Sequence, residues 1–76
     1  MNLNDSCINQ TYQVLGVTGL ELPVERRLEA LGLTEGTRIT VLNKKTKGAM
    51  IVKVRGTRFA VGRNIAAGIL IEEAGE

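Results

Sequence analysis

Histidine is absent from the 76 residues and cysteine occurs once, at Cys7. The chain therefore has no side chain whose ordinary titration supplies a general base near neutral pH. Cys7 has no histidine to activate it, and Ser6, the one serine, is equally without a base. Glu72 and Glu73 are adjacent, so on a strand they point to opposite faces and their carboxylates do not converge. "GVTG" has neither the length nor the lysine of a phosphate-binding loop. A transition-metal site needs converging cysteine, histidine or carboxylate ligands, and Cys7, Asp5 and scattered glutamates do not provide them. The residues predict a protein that is not an enzyme, with no dedicated metal site and no cofactor.

Recognition chemistry is the other possibility, and here the residue types are suggestive. Net charge is only +2, but its distribution is uneven. No acidic residue lies between Glu35 and Glu72, and that interval holds Arg38, Lys44, Lys45, Lys47, Lys53, Arg55, Arg58 and Arg63. Such sign asymmetry suits an anionic partner, or internal pairing with the acidic ends.

The elements that must position these charges follow from hydrophobic rhythm. "TYQVLGV" reads as a first strand with Tyr12 and Val14 on one face. A helix follows. Pro23 suits its first turn, Glu25 sits near its positive end, and Val24, Leu28 and Leu31 make one apolar stripe. Gly32 is placed to end the helix in a left-handed conformation, with Leu28 and Leu33 as the apolar pair of a Schellman end. From Thr37 the period becomes two. Ile39 and Val41, then Met50, Val52 and Val54, then Phe59 and Val61, then Ile69 and Ile71 form the inward faces of further strands. "KKTKG" is a polar turn, Gly56-Thr57 fits a two-residue type II′ hairpin turn, and "GRNIAAG" is a short helical turn or loop.

A chain of this length is one domain with little stability to spare, yet 43% hydrophobic residues suffice for one core. The predicted fold is mainly β: a small, strongly bent five-stranded SH3-like barrel with one α-helix between the first and second strands. Residues 1–10 read as a flexible N-terminal arm, 11–73 as the domain and 74–76 as a tail. One cysteine makes no internal disulfide, and no apolar run reaches the ~20 residues of a membrane span. No signal peptide is evident, so a cytoplasmic location is expected.

A register that keeps the faces consistent pairs Val41 with Val52, Ile39 with Val54 and Arg38 with Arg55. Around Gly56-Thr57 it sets Arg55 opposite Arg58 and Val54 opposite Phe59. Arg38, Arg55 and Arg58 then share a row across three strands, with Thr40, Lys53 and Ala60 in the next, and Leu42 and Ile51 beyond. Opposed like charges are destabilising. Either Glu25, Glu29, Glu72, Glu73 or solvent offsets them, or the row is a docking face for an acidic or phosphate-bearing partner. The candidate partner-binding residues are Arg38, Lys53, Arg55 and Arg58, with Leu42 and Ile51 as apolar neighbours that could equally lie under the arm. Nucleic acid is disfavoured, because single-strand readers display stacking aromatics and Tyr12 and Phe59 are the only aromatic residues. Self-association through strand edges is a further possibility.

"RRLEALGLTEGTRITVLNK…GAMIVKVRGTRFAVGRNIAAGILIEE" resembles the ferrous iron transport protein A family across about Tyr12 to Glu73. The shared pattern is an arginine-rich helix ending Leu-x-x-Leu-Gly-Leu, a Gly three residues on, an Ile/Val strand, a Gly-led strand ending "VRG", an Ala-Val-Gly segment and a final Ile-Leu-Ile strand. The chain departs from the family's frequent Gly-Asp-Pro by having Gly48-Ala49-Met50. The resemblance implies a bacterial, cytosolic SH3-like barrel and a non-catalytic accessory or regulatory module. Its implied partner is the membrane ferrous iron transporter with a cytoplasmic GTP-binding domain, which would hold it at the inner face of the membrane. The alternatives are a nucleic-acid-binding SH3-like module and a stand-alone relative of the C-terminal domain of iron-dependent repressors.

Overall fold

The computed structural model describes residues 1–45 and 48–74. The middle of the expected "KKTKG" turn, Lys47 of the basic interval and the end of the expected tail lie outside the described residues. After a 3-10 turn at Leu3–Asp5 come β1 (Thr11–Val17), α1 (Leu22–Ala30), β2 (Arg38–Lys44), β3 (Met50–Val54), β4 (Thr57–Val61), α2 (Arg63–Ala66) and β5 (Ile69–Glu73). The strands form one antiparallel sheet in the order β4-β3-β2-β1-β5.

Period-two patterning decides what lies inside. Tyr12, Val14, Ile39, Val41, Met50, Val52, Val54, Val61, Ile69 and Ile71 are all buried, and Leu28 and Leu33 join them from the helix and its exit. With so few rings, β-branched residues fill the space between strands, where stiff side chains pack well on a pleated surface. Two bulges bend the sheet. Leu15 is the extra residue between the pairs Val14–Ile71 and Gly16–Leu70, and Leu42 between Val41–Val52 and Asn43–Ile51. A bulge increases local twist, which lets a short sheet curl around its own core.

The helix ends as its sequence dictates. The Leu33 N–H donates to the Leu28 carbonyl and the Gly32 N–H to the Glu29 carbonyl, each at 2.9 Å. These are the two bonds of a Schellman motif. Gly32 has φ 96°, in the region where a side chain is strained. Leu33 turns into the core immediately afterwards, while Leu31 is only half-buried.

Two expectations are corrected. The first concerns the hairpin between β3 and β4. Val54 pairs with Thr57, so the turn residues are Arg55 and Gly56, not Gly56-Thr57. Both have positive φ, 52° and 81°, the type I′ pattern rather than II′. Lys53 therefore faces Arg58 and Val52 faces Phe59. The slip is two residues, so every side chain keeps its face and the hydrophobic pattern cannot detect it. The second concerns residues 1–10, which are packed rather than a free arm. Leu3 is 0% exposed and Ser6 is buried, with its hydroxyl donating to the Leu3 carbonyl. Asn2 bridges to Leu70, and Asn9 and Gln10 exchange backbone hydrogen bonds with Val41. The Cys7 N–H donates to the Tyr12 hydroxyl at 2.7 Å, giving the buried tyrosine a polar partner.

Candidate docking face

The outward side of β2, β3 and β4 carries most of the candidate residues. Thr40, Lys53 and Arg58 stand in one row across the three strands: Thr40 and Lys53 are opposed as expected, and Arg58 takes the place expected for Ala60. Lys53 and Arg58 are directly opposed and both exposed. No ion pair engages either among the described residues. Thr11 extends the row onto β1, its hydroxyl 2.9 Å from that of Thr40.

Arg38 lies one outward step along β2 from Thr40, opposite Gln13 of β1, and Glu72 of β5 is opposite Gln13 on the other side. Arg38 is exposed but has an interaction of its own within the chain. Ile51 faces Ala60 on one side and Asn43 on the other, while Leu42 is the bulged residue beside them. Both are half-buried. The backbone bonds from Asn9 and Gln10 reach Val41 just before Leu42.

Arg55 leaves the row. The hairpin turn places it beside the end of α1, where a Cβ built on Gly32 would lie 3.1 Å from Arg55 Cδ and 3.3 Å from Nε. Gly32 thus permits both a left-handed backbone and the close passage of an arginine. A cation at a helix C-terminus is favourable, because the last carbonyls there carry partial negative charge. Arg55 is exposed, its side chain lies beside the helix end, and its place in the turn keeps it out of the Lys53–Arg58 pair.

Lys44 was not among the candidates. Its ammonium donates to the carbonyls of Asn4 (3.3 Å) and Ser6, fastening the N-terminal segment to β2. Nothing local in the sequence announces a contact between residues forty apart. No group of three or more histidine, cysteine or acidic side chains could hold a metal ion among the described residues. Nor is any described helix long and apolar enough to cross a membrane.

The five antiparallel strands, with α1 between β1 and β2, define a small SH3-like barrel. Residues 1–73 match the FeoA domain, and the chain belongs to that family. It is similar to the FeoA protein of Chlorobium tepidum, at 30% identity and a TM-score of 0.90, over 99% of this chain and 71% of that one. It is also similar to the zinc-complexed FeoA of Stenotrophomonas maltophilia, described as a procaryotic SH3 domain protein, at 26% identity and a TM-score of 0.83, over 95% and 89% of the two chains. A Helicobacter pylori (strain J99) protein provisionally named Fe(2+) transport protein A is 23% identical over 100% of this chain and 99% of its own length. A manganese-dependent transcriptional repressor shares the fold alone: 18% identity and a TM-score of 0.87, over 96% of this chain and 36% of the repressor.

Proposed function

We propose that the chain is a non-catalytic accessory module of bacterial ferrous iron uptake. It acts in the cytoplasm and docks on an acidic surface of the membrane ferrous iron transporter that carries a GTP-binding domain. Membership of the FeoA domain family supports the transport setting, as does the Stenotrophomonas maltophilia relative, described in terms of ferrous iron transport activation. The observation that carries the docking is the Lys53–Arg58 pair. Two cations directly opposed across a sheet repel each other, and an acidic partner relieves that repulsion on contact. Arg38 and Arg55 both lie toward the turn end of the pair, and Ile51 and Leu42 supply apolar area on its other side.

Co-purification with the transporter tests this. Replacing Lys53 and Arg58 together with Glu is expected to abolish capture while thermal unfolding stays unchanged, since both side chains are exposed. Full capture of the double variant would reject the docking face. Binding to an anionic polymer that falls steeply with salt, without capture of the transporter, would favour the nucleic-acid reading instead.

A further inference from the structure

A hollow lies at the end of the sheet away from the Arg55–Gly56 turn. There Lys44 ends β2 opposite Met50, and Met50 lies opposite Val61 at the end of β4. Lys44, Lys45 and Arg63 line this hollow with Asn4 and the stretch 48–50, around a volume of about 270 Å³. The three cations come from a strand end, a loop and a helix start, and no carboxylate is among the described residues that line it.

Lys44 and Arg63 are held by their surroundings, while the Lys45 side chain is exposed. Lys44 is half-buried and spends two of its three N–H groups on the Asn4 and Ser6 carbonyls, leaving one. The Arg63 stem lies against Gly48, where an added Cβ would stand 3.2 Å from both Arg63 Cβ and Cδ. The Arg63 carbonyl also accepts a hydrogen bond from the Asn4 side-chain amide at 3.1 Å. The loop closes at Lys45, whose N–H donates to the Ala49 carbonyl (2.6 Å) while its own carbonyl accepts from the Gly48 N–H (3.1 Å). A solvated basic surface needs neither a half-buried ammonium nor a glycine that makes room for an arginine stem.

We propose that this hollow binds a phosphate-bearing small ligand of about diphosphate size. A guanidinium offers a planar fork to phosphate oxygens, and ammonium groups act as point charges beside it. One carboxylate would neutralise only one of the three charges, whereas a diphosphate answers all of them. The hollow, at about 270 Å³, has room for such a group.

The test is a titration of the isotope-labelled full chain with sodium pyrophosphate at constant ionic strength, followed through backbone amide signals. The proposal expects saturable shifts at Lys45, Gly48 and Arg63, weaker binding of orthophosphate and none of acetate. The Lys45→Gln/Arg63→Gln variant should bind at least about tenfold more weakly. Arg26→Gln/Arg27→Gln, which removes the same charge from the exposed face of α1, should bind as the unaltered chain does. Unsaturable shifts, acetate binding of equal strength, or equal weakening in both variants would overturn the proposal. Should the Lys45/Arg63 variant fail to fold, the titration of the unaltered chain with the three anions decides by itself.

Discussion

The β2–β3–β4 meander carries basic residues at both ends and uses them differently. At the turn end, Arg55 occupies a left-handed backbone position and lies against Gly32 at the exit of α1. Its side chain passes the helix C-terminus, where a cation is favourable. At the loop end, Lys44, Lys45 and Arg63 surround a hollow, and Lys44 also fastens residues 4 and 6. The difference teaches that a basic residue count says little about binding. What matters is what shares the space in front of each cation: Glu29 lines the hollow beside Arg55, whereas no carboxylate is among the described residues around Lys44, Lys45 and Arg63.

The largest expected effect comes from breaking the turn end. Leu33 is 2% exposed and follows the glycine that stops the helix. Leu33→Ala should cost about 2–5 kcal/mol by chemical denaturation, enough to unfold much of so small a domain. Gly32→Ala should cost about 1–3 kcal/mol, combining a left-handed alanine with crowding against Arg55. If that cost is unchanged when Arg55 is also replaced by Gly, the contact between the two contributes nothing.

The loop end should be softer. Lys44→Met removes the donors to two carbonyls, and a loss of about 1–2 kcal/mol is expected. Amide exchange should then quicken in residues 3–6 while the Gly32 corner keeps its protection. Equal quickening at both ends would mean that the two are one cooperative unit. The smallest effect is expected at the turn itself. Arg55→Asn keeps a polar residue that tolerates positive φ and should raise stability by up to about 1 kcal/mol. A fall would mean that the arginine at the helix end is worth more than its backbone strain.

Legibility in the sequence followed the same division. The corner was readable because Leu28, Gly32 and Leu33 stand at the spacing of a Schellman end, where each residue type has one physical use. The inward faces were readable because the strand period is two. The hairpin register was not, since a slip of two residues preserves every face and Arg-Gly is a weaker turn signal than Asn-Gly. The docking face inherits that slip: the alternation puts Lys53 and Arg58 on one outward face, but a turn at Gly56-Thr57 sets Arg55 opposite Arg58. The bulge at Leu42 left no signal in the alternation either. Residues 1–10 misled for another reason. Their polarity is that of a loose segment, yet one leucine, one serine hydroxyl and a lysine forty residues away seat them against the sheet.

Titrating the chain against the detergent-solubilised transporter of the same bacterium tests the docking face most directly. The face reading predicts at least about tenfold weaker binding for Lys53→Glu/Arg58→Glu. It predicts little change for Arg26→Glu/Arg27→Glu, which reverses as much charge on the exposed helix. Equal affinity of the Lys53/Arg58 variant and the unaltered chain would contradict it, as would equal losses in the two variants.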